Sequence, residues 1–242
     1  MTKHMKRLAA PRSVNIHRKE AKWTFRSAPG AHPAERAIPL ATLIRDTLGI
    51  TQTGREAKRV IGNGDVQVDG VVRKEPTHAV GIMDVVSIPK LKKSYRILID
   101  YHGRLVPLPI KTEEATWKLC RVEGKTTIAG GKTQIHLHDG RNILVEKAEY
   151  KTGDVLKISL PDQKVMGTHK FTKGTLAYVM GGAHSGELAP IEAVEVKRGP
   201  FPTLVVLRRG KDQLFRTIKA YVFPVGDKTP EIQVPEVSVV GQ

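Results

Sequence analysis

Gly124-Lys125-Thr126 and Gly131-Lys132-Thr133 each carry the glycine, lysine and hydroxyl that grip phosphate at the end of a P-loop. A P-loop needs a further glycine five residues before the second one, where this chain has Leu119 and Thr126. The second triplet also leads into a strand pattern, whereas a P-loop opens a helix whose N-terminus holds the phosphate. Both triplets therefore read as β-turns carrying a lysine. His136 and His138 would share a strand face beside Asp139, but two histidines make a poor zinc set and Cys120 completes no ligand spacing. The pair reads as solvent-facing or RNA-facing, and Cys120 as a small buried hydrophobe. Glu113 and Glu114 are sequence neighbours and do not converge as an acid/base pair must. They read as a solvated helix start, and Trp117 as packing. No catalytic constellation emerges, so the expectation is a chain that is not an enzyme, with no cofactor, no metal and no small-molecule substrate.

What the residues do offer is contact with phosphate. Thr53 followed by Glu56 is a capping-box start for a short helix. That helix would bury Ala57, Val60 and Ile61 and gather Arg55, Lys58 and Arg59 into one cationic cluster, because positions three and four apart share a face. Gly62, Asn63 and Gly64 stop it. Val66-Gln67-Val68, an Asp69-Gly70 turn and Val71-Val72 then predict a hairpin. A short basic helix running into a hairpin suits nucleic-acid binding better than catalysis.

The elements around it follow from pattern and charge. The 242 residues hold 40 Lys+Arg against 24 Asp+Glu, a formal charge of +16 that points to a polyanion, nucleic acid first. No run is apolar enough to span a membrane, no apolar signal segment follows the start, and a single cysteine excludes a disulfide framework, which together favour a reducing cytoplasm. Aromatics are only 5% of the chain, so base stacking is not expected to be the main binding device. Residues 1–38 form a basic arm of net +7, with Lys3, Lys6, Arg7, Arg12, Arg18, Lys19 and Lys22 as candidate phosphate contacts. Its prolines and glycine break periodicity, so it reads as a solvated tail that orders along RNA, with Leu8, Val14, Ile16, Trp23 and Phe25 docking parts of it on protein.

Residues 39–91 carry a first helix (Leu40, Leu43, Ile44 and Leu48, closed by Gly49), the basic helix, the hairpin and a strand over residues 84–88. Their net charge is only +1, so this segment contributes arrangement and little of the total. Pro89 to Lys93 reads as a linker. Residues 92–168 read as a central β domain with strands at 95–100, 133–137, 141–145 and 155–160, and Lys132 on one of its turns. Residues 169–242 hold a strand, a turn around Gly181, Gly182 and Gly186, and a return strand, with Lys173 and His184 beside the turn. Arg208, Arg209 and Lys211 then tip a further hairpin, and the tail from Val225 reads as an extended or poorly ordered arm. The expected class is α+β, mostly β.

Three resemblances attach to these residues. Residues 40–88, with Thr53, Glu56, the basic stripe, Gly62-Asn63-Gly64 and the Asp69-Gly70 hairpin, resemble the S-four RNA-binding module. The segment Lys173 to Ala189 resembles the KOW motif of SH3-like barrels, though Glu187 and Ala189 stand where a basic residue and a second glycine are common. The whole order, opening Lys-Arg-Leu-Ala-Ala-Pro at Lys6 to Pro11, resembles the S-four-e (S4e) family of archaeal and eukaryotic small-subunit ribosomal proteins, with the compact length closer to the archaeal branch. The resemblance implies a structural protein bound to small-subunit ribosomal RNA beside neighbouring ribosomal proteins, in the cytoplasm. The rival expectations are an RNA-modifying enzyme that uses the S-four module for targeting, and a free RNA-binding factor.

Overall fold

Alternating Val, Ile and Leu dominate the chain beyond residue 66, and the protein, described here as a computed structural model, turns that alternation into sheet. The structure describes residues 2–128, 130–146, 149–196, 199, 201–210, 213–227 and 229–235. Among these, three five-stranded and two two-stranded antiparallel sheets carry nearly all regular structure, and helices are few. The fold is mostly β, as expected. Two compact units divide the chain, Met1–Ile99 with Arg104–Lys118 and Ser159–Lys164, and the remainder.

The first unit begins with β1 (His4–Lys6) paired to β2 (Trp23–Phe25), with a tight turn at Arg7–Ala9 between them. Parts of the arm dock on protein, as expected: Val14 is buried, Ala10 with it, and the Leu105 amide donates to the Ser13 carbonyl at 2.7 Å, whereas Leu8 and Trp23 are exposed. The apolar residues scattered through the arm are enough to seat it, despite its charge. β3 (Ile38–Pro39) leads into α1 (Leu40–Thr42), which runs on as a π-helical turn, Leu43–Thr47. Gly49 closes that segment at φ +62°, a conformation that favours glycine. α2 (Gly54–Gly62) follows, and its chain leaves through Gly64 at φ +83°. β4 (Gln67–Val68) and β5 (Val71–Val72) form the expected hairpin, with Asp69 and Gly70 both at positive φ, as a tight primed turn requires.

After β6 (Ala79–Val80), which pairs with β3, β7 (Val85–Ile88) joins β4. The expected linker at residues 89–93 is corrected here. Pro89–Leu91 is a single tight turn, and β8 (Lys93–Ile99) pairs straight back on β7, Ile88 opposite Lys93. With β9 (Leu105–Ile110) the sheet runs β5-β4-β7-β8-β9, so the boundary expected at 91/92 falls inside one sheet. Ile38, Leu40, Leu43, Ile44, Ala57, Ile61, Val86, Ile97 and Leu98 form its core. Arg96 is buried in this unit too. Its guanidinium lies 4.3 Å over the Trp117 ring and donates to the carbonyls of Glu114 and Trp117, while burial pushes its pKa down to about 10.

Two further sheets follow, which apart from Trp117, Lys118 and Ser159 belong to the second unit. β10 (Trp117–Thr127), β11 (Thr133–Leu137), β12 (Asn142–Val145), β13 (Val155–Ser159) and β14 (Val165–His169) order as β12-β11-β10-β13-β14 around Cys120, Val122, Ile135, Leu156 and Ile158. β15 (Leu176–Val179), β16 (Leu188–Glu195), β17 (Leu204–Arg209), β18 (Gln213–Ile218) and β19 (Val222–Gly226) order as β18-β17-β16-β15-β19 around Ala177, Val179, Ile191, Val205 and Leu207. Arg121, buried on β10, donates to the carbonyls of Ala220 and Val222 and pairs with Glu123. The expectation for the tail is corrected over its described part, while residues 236–242 of it lie outside the described residues. Val225 lies in β19, Ile232 is buried, and Glu231 meets Lys157 at 2.8 Å and His169 at 3.3 Å. Burial alone would raise the Glu231 pKa, but the hydrogen bond from Lys157 holds it below the usual range.

Candidate nucleic-acid interface

The geometry of α2 follows from its first turn. The Glu56 amide donates to Thr53 Oγ1 at 3.3 Å, and Glu56 Oε2 accepts from the amides of Gln52 and Thr53 at 2.9 and 3.3 Å. Those two backbone donors hold the Glu56 carboxyl below its ordinary range, and its negative charge complements the helix N-terminus. Ala57 and Ile61 are buried, so the opposite face, with Arg55, Lys58 and Arg59, is exposed. Among the described residues, Arg55 and Arg59 meet no acidic partner. Lys58 Nζ lies 5.6 Å from the Phe25 ring centroid, and Asn63 is exposed just past the helix end.

The arm separates its cations into two kinds. Lys6, Arg12, Lys19 and Lys22 are exposed, and Lys3 is exposed while pairing with Glu75 at 3.3 Å. Arg7 is corrected as a surface candidate: it is buried, its Nε donates to the His17 carbonyl at 2.6 Å, and its Nη2 meets Asp46 at 3.1 Å. Arg18 is also turned inward, donating to the carbonyls of Ala10 and Pro11 at 2.6 and 3.0 Å. Both tie the arm to its own unit. Arg7→Met is expected to loosen the arm by about 1.5–3 kcal/mol, the usual loss when hydrogen bonds to a charged group go. Native-state amide exchange over β1 and β2 measures this, and unchanged protection there would remove the tethering role.

In the second unit Lys132 is exposed on the β10–β11 turn. Lys173 is exposed and pairs with Glu192 at 2.7 Å, which holds the Glu192 carboxyl low. His184 lies 4.1 Å from the Phe215 ring and 3.4 Å from Glu187. Arg208 and Arg209 are exposed at the end of β17, 3.9 Å from Glu192 and 3.6 Å from Glu187. Lys211 lies outside the described residues. The turn between β15 and β16 needs its glycines: Gly182 and Gly186 have φ +86° and +80°, and a Cβ at Gly181 would meet the Tyr221 ring at 3.0 Å. Ala189, buried beneath it, is core.

The groups weighed for catalysis are placed as follows. Gly124-Lys125-Thr126 lies within β10 and not in a turn, while Gly131-Lys132-Thr133 leads from a turn into β11. His138 follows the end of β11, so it does not share a strand face with His136. It packs edge-on against Phe223, with Nδ1 accepting from the Arg121 amide, which corrects the expectation of an RNA-facing pair. Cys120 is buried, as expected, and the fold brings it to His138 and Asp139 with donor atoms within 4.8 Å of one another. These donors are already engaged, since Asp139 pairs with Arg141 at 3.2 Å and accepts from Cys120 Sγ at 3.6 Å.

Sequence reasoning counted Arg96, Lys118 and Arg121 as general positive charge, although all three are buried. It also passed over one feature beside α2. Lys3, Lys58 and Arg45 line a single groove of about 420 Å³ with Trp23 and Phe25. The signal was present in the alternation of Trp23 and Phe25 on one strand face, next to Lys22.

Comparison with known proteins comes from several directions. Residues 91–165 match the model of ribosomal family S4e, and residues 1–35 match the RS4NT domain. The chain is 44% identical over 233 residues to small ribosomal subunit protein eS4 of Methanothermobacter thermautotrophicus, covering 96% of each. It is 46% identical over 240 residues to the protein of the same name from Methanococcus vannielii, covering 96% of this chain and 97% of that one. Among solved structures, the 30S ribosomal protein S4e from Thermoplasma acidophilum matches with a TM-score of 0.70 and 36% identity, over 79% of this chain and 96% of that one.

Proposed function

Since the chain belongs to the ribosomal S4e family, we propose that it is a structural constituent of the small ribosomal subunit that binds ribosomal RNA and supports subunit assembly and translation. On this reading residues 40–88 act as an S-four RNA-binding module and the β15–β19 sheet as an SH3-like KOW barrel. The observation that carries the RNA contact is the capped α2, whose buried face fixes three exposed cations, Arg55 about one helical turn before the adjacent Lys58 and Arg59. The exposed arm cations Lys3, Lys6, Arg12, Lys19 and Lys22, with Asn63, Lys132, Lys173, His184, Arg208, Arg209 and Lys211, add further contacts. Arg7 and Arg18 act from within, by shaping the arm. Neighbouring small-subunit proteins are the second class of partner, and the cytoplasmic ribosome is the address. The relatives are ribosomal structural proteins, and this chain likewise is no enzyme.

Binding through phosphates releases counterions, so affinity for small-subunit ribosomal RNA is expected to fall steeply with salt. A protein making about six to ten phosphate contacts loses roughly 10³–10⁵ in affinity between about 50 and 200 mM salt. Filter binding across a salt series measures the slope, and a flat log–log plot would exclude the mechanism. Sedimentation tests the address: co-migration with small subunits at moderate salt is expected, while protein remaining at the top of the gradient would favour a free RNA-binding factor.

A further inference from the structure

We propose that the groove between the β1–β2 pair and α2 is a site for one unpaired RNA nucleotide, with its base stacked on Trp23 and its phosphates held by Lys22 and Lys58. The proposal rests on the RNA-binding reading above and extends it from phosphate contact to base contact. Trp23 is 47% exposed, a large apolar surface to leave open beside so many cations. The His4 ring braces its indole edge-on at 5.0 Å, and Lys22 lies 5.4 Å over its face. The ring is therefore held in place by neighbours that leave part of it free. Deeper in the groove, Arg45 and Lys58 lie 5.5 and 5.6 Å from the Phe25 ring, which fixes their long side chains over an aromatic floor.

Charge selects the occupant. Lys3, Arg45 and Lys58 line the groove with one carboxylate, Glu75, and Lys22 stands over the Trp23 ring beside it. Arg45 pairs with Asp46 at 2.7 Å and Lys3 with Glu75 at 3.3 Å, which leaves Lys22 and Lys58 as the cations to meet a phosphate without an acidic partner among the described residues. Glu75 is kept ionised by its hydrogen bond from Thr77 and by Lys3, so it remains an acceptor that could take an exocyclic amine of a base. A groove of about 420 Å³ lies within the ordinary size range for a small ligand, roughly 300–1,000 Å³. Duplex RNA keeps its bases stacked on one another and could use only the cations. An unpaired nucleotide uses the cations, the indole and the acceptor together, which is how single strands are bound. The low aromatic content excludes stacking as the main device for the whole chain, but one ring is enough for one base.

The test uses the full chain carrying Trp117→Phe, which leaves Trp23 as the sole indole. It is titrated at low salt with a mixed-sequence single-stranded oligoribonucleotide, with the same strand in a duplex, and with inorganic polyphosphate. Saturable quenching of Trp23 by the single strand alone is expected. Trp23→Leu should weaken single-strand binding about 5- to 150-fold, equivalent to roughly 1–3 kcal/mol of stacking, and Trp23→Phe should retain most of it. Equal quenching by duplex or polyphosphate, or unchanged affinity in Trp23→Leu with an unaltered circular dichroism spectrum, would overturn the stacking site. So would a Trp23 signal that responds to a ribosomal protein neighbour and not to RNA. If the same protein still binds small-subunit ribosomal RNA with a steep salt slope, only this proposal falls. If that slope is flat as well, the RNA-binding reading falls with it.

Discussion

Lys118→Met is expected to destabilise the first unit by about 3–5 kcal/mol at neutral pH, the usual loss when one partner of a buried ion pair is removed. The Lys118 side chain is 0% exposed, and its ammonium lies 2.8 Å from Asp69 Oδ2 and 2.9 Å from Asp84 Oδ1. Both carboxylates are committed on their other oxygens. Asp69 Oδ1 accepts from the Val85 amide at 2.9 Å, and Asp84 Oδ2 accepts from the Gly81 amide and meets His32 Nε2, each at 2.9 Å. Neither can turn toward water when the ammonium goes, so the variant buries two carboxylates that have lost the cation they shared, with His32 left beside Asp84. Urea unfolding of the two proteins measures the difference, and a loss below about 1 kcal/mol would place Lys118 among ordinary exposed pairs. Combining Lys118→Met with Asp69→Asn and Asp84→Asn should recover part of the loss, because the cost lies in the unpaired charges.

The pH dependence has a definite sign. Burial alone would raise the Asp84 pKa, but Lys118 and then His32 hold it far below the ordinary carboxylate range. Its stabilising contribution is therefore fully present above the unfolded value, about 3.9, and is lost as pH falls toward the folded value. In Lys118→Met the main attraction on Asp84 is gone and burial pushes its carboxyl up, so protonation relieves the variant. The gap between the two proteins should be widest near neutrality and narrow as the medium becomes acidic. A gap independent of pH would mean that lost packing, not charge, causes the instability.

This network also marks the limit of what residue order could reveal. The α2 start, its glycine exit and the Asp69-Gly70 turn were legible because each is decided by neighbours within four residues. The strands at residues 133–145 and the glycine turn before β16 were legible for the same reason. Lys118 lies 49 and 34 residues from its two carboxylates, and nothing local distinguishes it from a surface lysine. Pro89 to Lys93 misled for a related reason. Proline and lysines at a break suit a linker or a tight turn equally, and only the pairing of β7 with β8 decides between them. Arg7 was counted with the arm's solvated charge because its partner Asp46 is 39 residues away. The cations that touch phosphate therefore cannot be chosen by type alone, since burial removes some from the surface.

The second large effect is expected on RNA binding. Arg55→Ala, Lys58→Ala and Arg59→Ala together should lower the salt slope by about two to three, close to 0.7–0.9 for each phosphate that is no longer neutralised. Folding should change little, because all three side chains are exposed and the cap, Ala57 and Ile61 remain. The informative control is a matched removal of charge from the arm, Lys6→Ala, Arg12→Ala and Lys19→Ala, three exposed cations outside any helix. Both triples remove the same charge, so both should weaken binding to random RNA by similar factors. On α2, however, Arg55 is a face neighbour of both Lys58 and Arg59, about 5–6 Å apart at Cβ, and phosphate contacts of fixed spacing set register and orientation. The α2 triple should therefore reduce the preference for small-subunit ribosomal RNA over random RNA, whereas the arm triple should leave that ratio nearly unchanged. Competition binding at one salt concentration gives both ratios, and an equal fall in the two triples would assign α2 to bulk attraction in place of positioning. Since residues 39–91 hold seven basic against six acidic side chains, bulk attraction is the role their charge serves least.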